Sequence, residues 1–332
     1  MADHAIEDDI FVYMGGRAPQ HVVNVIIDES VSEIDEHAFG RCPHLQTVAF
    51  HDGVLRVKKC AFTPCPNLRQ IIMPGVEVIE THAFASCHRL RFVVMPSVRV
   101  LEEKAFHHCY SVEVLDLPML EETSFRTFEG CRSLRRITMP SSIKTIGGGT
   151  FFGCEQLVEL DFPEGIEQIV ICAAIRCNNL RRISIPLKSE MFMDNDNLGE
   201  NYYWQFRYCI RLTTVDLVGG LHKTISSLHL ERWKNEMKEE INRINLILPN
   251  DTGDKAFTIQ RWIQSVIRKM ESCTVGHQHL LMEATTLLEI ALWKVKLDEI
   301  EEGDDTCTKN ELRVTSGASI VIKNVLPFLR LA

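Results

Sequence analysis

Eight of the chain's 12 cysteines stand in a ladder, Cys42, Cys65, Cys87, Cys109, Cys131, Cys154, Cys177 and Cys209, with successive spacings of 23, 22, 22, 22, 23, 23 and 32. Three residues before each Cys stands Phe (Phe39, Phe62, Phe84, Phe106, Phe128, Phe151 and Phe206), with Ala174 the exception. Three residues after it stands Leu or Val, from Leu45 to Leu212, and six and eight residues after it come two more apolar positions. Nine residues after it is Pro in six copies: Pro74, Pro96, Pro118, Pro140, Pro163 and Pro186. A half-copy, Val23 to Ile34, precedes the first full one. Chance does not place six prolines in register. A unit this short cannot bury its own apolar edge, so the units must stack on one another around a continuous core.

One copy shows how. In Leu134-Arg135-Arg136-Ile137-Thr138-Met139-Pro140 the alternation of Ile137 and Met139 is strand period, and Arg136 and Thr138 face the other way. Pro140 ends the strand because it has no N–H to give to a ladder. Ser141 to Ile146 is a second extended piece, and Gly147 to Cys154 turns the chain and drops Phe151 and Cys154 inward. Strands spaced about 4.8 Å apart give a parallel sheet on the order of 40 Å long.

The pattern AF-x-x-C-x-x-L-x-x-I-x-M-P followed by S-x-I-x-x-I-G resembles the BspA-like class of leucine-rich repeat over residues 22–218. That class is widespread in bacterial surface proteins and in proteins of unicellular eukaryotes, algae among them. The resemblance implies an α/β repeat fold, a right-handed solenoid of eight to nine coils of 22–23 residues used as a binding surface. Two copies depart from the pattern. The seventh has Ala173-Ala174-Ile175 for the Phe motif, and an insertion at 188–204 precedes the eighth.

After Gly219-Gly220 the period becomes helical. Ile225, Leu228, Trp233, Met237, Ile241 and Ile244 form one stripe, ended by Pro249 to Gly253. A second helix is expected over 255–270, a third over 279–300 and a short one over 319–331. The expected organisation is an N-terminal arm at 1–21, the solenoid at 22–218, and a small α-helical domain or cap at 219–332.

Net charge is −9, and it is uneven. Residues 221–332 hold 15 basic and 16 acidic side chains, which leaves −8 to residues 1–220. Acidic repeats argue against nucleic acid and make a basic protein or peptide the expected electrostatic partner. The acidic N-terminus lacks signal-peptide character, and no run of 18 apolar residues predicts a membrane span. Twelve cysteines without a signal read as reduced thiols, in a cytoplasmic or nuclear protein.

The chemistry candidates each have a plainer reading. Zinc sites want C-x₂-C pairs that converge on one point, whereas the ladder cysteines lie on a line and pack as small apolar residues. Asp194 to Gly199 mimics a calcium loop, but Leu198 and Gln205 occupy positions that need oxygen ligands and a bidentate Glu. His277, His279 and Glu283, and separately His107 and His108, read as surface groups. Gly147 to Thr150 lies inside a repeat turn and lacks the following Lys of a phosphate loop, and no nucleophile elbow or zinc-protease helix is present. Cys273 and Cys307, outside the ladder, are expected to be exposed. No enzyme activity, metal or cofactor is expected.

Two readings of function remain. One is a protein-interaction scaffold that uses the sheet face. The other is a recognition arm for an activity in the helical C-terminal domain. Positions five and seven after each ladder Cys should point away from the core. There Ile72, Phe92, Val94 and Val114 form an apolar patch, with Arg69, Arg91, Arg135 and Arg136 at its margin and Asp116, Glu159 and Asp161 toward the other end. An apolar centre with a charged rim is the anatomy of an interaction site. Either an external partner or the chain's own tail or N-terminal arm could cover it.

Overall fold

The structure is a computed structural model and describes residues 10–170, 172–188, 205–226, 228, 230–251 and 255–302. The repeats build two parallel strand sets. The outer-face strands are Ile10–Tyr13, Asn24–Ile27, Thr47–Ala49, Gln70–Ile72, Phe92–Val94, Val114–Asp116, Arg136–Thr138, Glu159–Asp161, Arg182–Ile185 and Thr214–Leu217. Seven shorter strands, from Glu33–Ile34 to Gln168–Ile169, form a second continuous parallel sheet. Among the described residues, seven coils therefore carry both strands, against the eight to nine coils expected over the whole solenoid. Among the described residues, the copies of Cys177 and Cys209 contribute only their first strand.

Backbone pairing on the outer face is regular over the first five strands, from Ile10–Tyr13 to Phe92–Val94. It lapses before Val114–Asp116 and again before Glu159–Asp161. Ile10–Tyr13 belongs to the segment expected to be an arm, yet it pairs in parallel with Asn24–Ile27.

Two ladders hold the coils together. Phe39, Phe62 and Phe84 stack at 4.9 and 4.8 Å between centroids, almost parallel, and the column continues through Phe106 and Phe128 to Phe151. It stops where Ala174 replaces Phe. The ladder thiols do more than fill space. The Sγ of Cys65, Cys87, Cys109, Cys131, Cys154 and Cys177 each donates to the carbonyl of the Phe one coil earlier, at 3.1–3.4 Å. Burial pushes the Cys131 thiol up to about 12 and raises Cys109 and Cys154 likewise, so these thiols are not ready thiolates.

The described turns from residue 37 to 172 use left-handed backbone. His37, Cys60, His82, Lys104, Arg126 and Cys172 have φ between 54° and 64°, two residues before the Phe position. Gly149 fills this place with φ +67°, which explains the glycine run as turn geometry. A Cβ on Gly147 would stand 2.3 Å from the Ser124 carbonyl oxygen, so the coils approach too closely there for any side chain.

Beyond the repeats, helix α1 is Gly220–Ile225, α2 is Glu231–Ile247, and α3 is Lys255–Glu302. The stripe expected as one helix is thus split between α1 and α2. The second and third expected helices are one continuous α3. Gly276, at the expected break, lies against Trp233: a Cβ there would be 3.2 Å from its Cζ2. That glycine serves packing, and α3 contains no Pro to stop it. The helix expected at 319–331 lies outside the described residues.

The chain divides into two compact units, Met1–Gly220 with Arg243–Ile263, and Leu221–Asn242 with Gln264–Ala332. In the first, Asn245 closes the last coil. Its Oδ1 accepts from the Val215 N–H at 2.8 Å and its Nδ2 donates to the Val215 carbonyl at 3.2 Å, as a further strand would. Lys255 Nζ donates to the Leu212 carbonyl. Ile244, Leu248, Ile259 and Ile263 bury the apolar end. In the second unit, Trp233 meets His277 edge-on at 6.1 Å, and Met237 and Cys273 are buried. Cys273, expected to be exposed, instead faces the interior of this helix pair. Cys307 lies outside the described residues.

Candidate interaction surface

In each three-residue strand from Gln70–Ile72 to Glu159–Asp161 the middle residue is buried and its two neighbours are exposed. Outward side chains on paired strands then line up in rows across the sheet. One row reads Val12, Ile26, Ala49, Ile72, Val94, each in register with the next. Its four large members are 44–54% exposed. The parallel row starts at Ile10, passes Asn24, Thr47 and Gln70, and ends at Phe92, which is 58% exposed. Val114, also exposed, stands on the next strand along the chain, beyond the first lapse in pairing, opposite Arg136.

The remaining strands carry different chemistry. The first row's positions become Asp116 and Thr138, then Asp161, Ser184 and Asp216. Arg182 sits among the acids, 2.6 Å from Asp216, 2.8 Å from Asp161 and 3.7 Å from Glu159. The Asp216 hydrogen bond, foremost, raises its pKa. Ser184, in register between Asp161 and Asp216, is only 8% exposed, so the outward rule weakens at this end. At the second lapse a depression opens, lined by Arg135, Arg136, Thr138, Met139, Glu159 and Asp161 among others. Met139, expected in the core, is half-exposed there.

The structure brings Ile72, Phe92 and Val94 onto two paired strands. Arg91 lies 5.2 Å over the Phe92 ring and 2.9 Å from Glu113, so it rims the patch as one half of an ion pair. Sequence reasoning missed Val12 and Ile26, which double the length of the apolar row. The signal was present in the alternating Ile10-Phe11-Val12-Tyr13, a β-rich run directly before the half-copy. Tyr13 is its inward anchor, with its hydroxyl donating to the Gly16 carbonyl at 3.0 Å.

The loop 194–199 lies outside the described residues. His279 and Glu283 are exposed, 3.4 Å apart on one face of α3. His107 and His108, expected at the surface, are half-buried between coils. No described helix is long and apolar enough to cross a membrane.

The BspA type leucine-rich repeat region matches residues 18–113 and 100–217 in six copies. No curated protein matches the chain. Similar solved structures include a leucine-rich cell surface protein from Faecalibacterium prausnitzii, at 25% identity and TM-score 0.39, covering 60% of this chain and 61% of that one. A leucine-rich repeat protein from Eubacterium ventriosum matches at 22% identity and TM-score 0.44, covering 46% and 43%. One from Bacteroides ovatus matches at 22% and 0.38, covering 59% and 61%. The chain thus spans about three-fifths or less of the length of these relatives.

Proposed function

The chain belongs to the BspA-type leucine-rich repeat family, and from that premise we propose that it is a non-catalytic interaction scaffold whose outer sheet face binds a protein or peptide segment. The observation that carries this reading is the exposed row Val12, Ile26, Ala49, Ile72, Val94 with Phe92 beside it. Solvated strand faces are ordinarily polar, and a contiguous apolar row has a cost in water that burial by a partner removes. The partner's central residues are apolar. Its flank over Asp116, Glu159, Asp161 and Asp216 is basic, because those positions are acidic and most of the chain's negative charge lies in the repeats. Neither nucleic acid nor a lipid surface fits an apolar row with an acidic flank. The free, buried, hydrogen-bonded thiols favour a cytoplasmic or nuclear setting.

The test is Phe92→Asp in the full chain, with partners captured from the native cell by the wild type. The variant is expected to melt within a degree or two of wild type and to lose the captured partner. A variant that loses several degrees points to the patch being covered from within the chain. A stable variant that keeps the partner rejects this face as the site.

A further inference from the structure

The stack that aligns the core also aligns the turns. His107 and His108 follow Phe106, and Glu129 and Gly130 follow Phe128 one coil later, with the His108 N–H donating to the Glu129 carbonyl at 2.7 Å. No other coil places an imidazole or carboxylate at these positions. One ligand atom from each of His107, His108 and Glu129 lies within 4.8 Å of the other two. His107 Nε2 is 3.4 Å from Glu129 Oε2. That oxygen is buried and accepts no hydrogen bond. Two ligands about 2.0–2.1 Å from a tetrahedral zinc ion stand ~3.3 Å apart, which is the separation found.

The surroundings suit a metal better than a free ion pair. The side chains of His107 and Glu129 are 22% and 13% exposed. Lys104, His82 and Arg126 lie near the His107 ring, as does His108. His108 lies against Gly130, where a Cβ would stand 2.5 Å from its Cδ2. The glycine leaves the room the ring occupies. The opposing charge is Arg126, whose Nε is 3.5 Å from the same Oε2, and Arg132 bears on His108. Two imidazoles and one carboxylate leave a net positive site on metal binding, as in other three-ligand zinc centres.

We propose that His107, His108 and Glu129 bind a divalent ion of the zinc class, which clamps one coil to the next. The rings of His107 and His108 stack at 3.7 Å, so binding turns His108 about its side-chain bonds to bring its nitrogen to the ion. The clamp is independent of what occupies the sheet face.

Calorimetric titration of the full chain with zinc chloride, after capping accessible thiols with iodoacetamide, tests this. The wild type should take up one equivalent with micromolar or tighter affinity. His107→Gln and Glu129→Gln should each weaken binding by roughly tenfold or more, and His279→Ala should leave it unchanged. Zinc should raise the melting temperature of the wild type and of His279→Ala but not of His107→Gln. One equivalent of cobalt should give visible d–d bands without a thiolate charge-transfer band. No uptake by the wild type at hundred-micromolar zinc overturns the proposal. So does a thiolate band, or affinity unchanged in both Gln variants. The wild-type titration and cobalt spectrum decide the matter even if a variant fails to fold.

Discussion

The two halves of the outer sheet face share one backbone and one core, yet their outward rows differ completely. Toward the N-terminus the row is Val12, Ile26, Ala49, Ile72, Val94; toward the C-terminus it is Asp116, Thr138, Asp161, Ser184, Asp216. Inward, the full copies of both halves repeat the Phe, Cys and Leu positions, with Ala174 for Phe and Val112 for Leu as the departures. Folding therefore constrains the inner positions of each coil and leaves the outer ones free. The apolar residues repeated at such free positions on neighbouring strands are what the proposed interaction surface rests on.

Inner positions should be far more sensitive to substitution than outer ones. Leu134 is fully buried. Leu134→Ala should cost about 2–5 kcal/mol in denaturant unfolding, as a large-to-small change in a filled core.

The N-terminal half has an anchor of its own. Asp35 Oδ2 accepts the Gly16 N–H at 2.8 Å and holds the chain as it leaves the Val12 strand. Asp35→Ala should cost about 1 kcal/mol and speed hydrogen exchange at Ile10–Tyr13 more than anywhere else. The Gly16 N–H foremost, and Lys58 and Tyr13 after it, hold the Asp35 carboxyl below the usual carboxylate range. Its contribution is present above the ordinary carboxylate pKa near ~4 and fades as pH falls from there through the lowered folded-state value. Below pH ~4, acid should thus loosen the Ile10–Tyr13 strand.

Between the halves sits His107, with its folded pKa near 4 against 6.5 in the unfolded chain. The unfolded state takes up this proton first, so stability should decline as pH falls from 6.5 toward 4. In metal-free buffer, His107→Gln should flatten that part of the stability–pH curve.

The smallest effect belongs to an outer position. Thr138 is exposed, and Thr138→Ala should change stability by under about 0.5 kcal/mol. Equal effects for Leu134→Ala and Thr138→Ala would mean that the strand register is displaced by one residue.

The sequence made the repeats legible because a stacked coil repeats its constraints. Six prolines and seven phenylalanines in register specify the strand, its end and its inner face. The thiol hydrogen bonds were hidden, since small apolar packing accounts for Cys equally well in one dimension. Asn245 was hidden for another reason. It replaces a strand with a single amide, and nothing about its neighbours in sequence marks it. The unbroken α3 follows from a tertiary contact, Gly276 on Trp233, that overrides a local break signal. The His107–Glu129 cluster needs the coil-to-coil stacking to be seen at all, because its members are 22 residues apart.

The apolar row should stand open to solvent in the free protein, ready for a partner. Ile72→Cys, in the full chain with accessible native thiols first mapped, measures it directly through the rate of thiol labelling under native conditions. Ile72 is 54% exposed, on a strand face. The introduced thiol should label at close to the rate of a free thiol while the eight ladder cysteines stay unmodified. Labelling as slow as that of the ladder would mean that this face is closed to solvent and that the chain covers it itself.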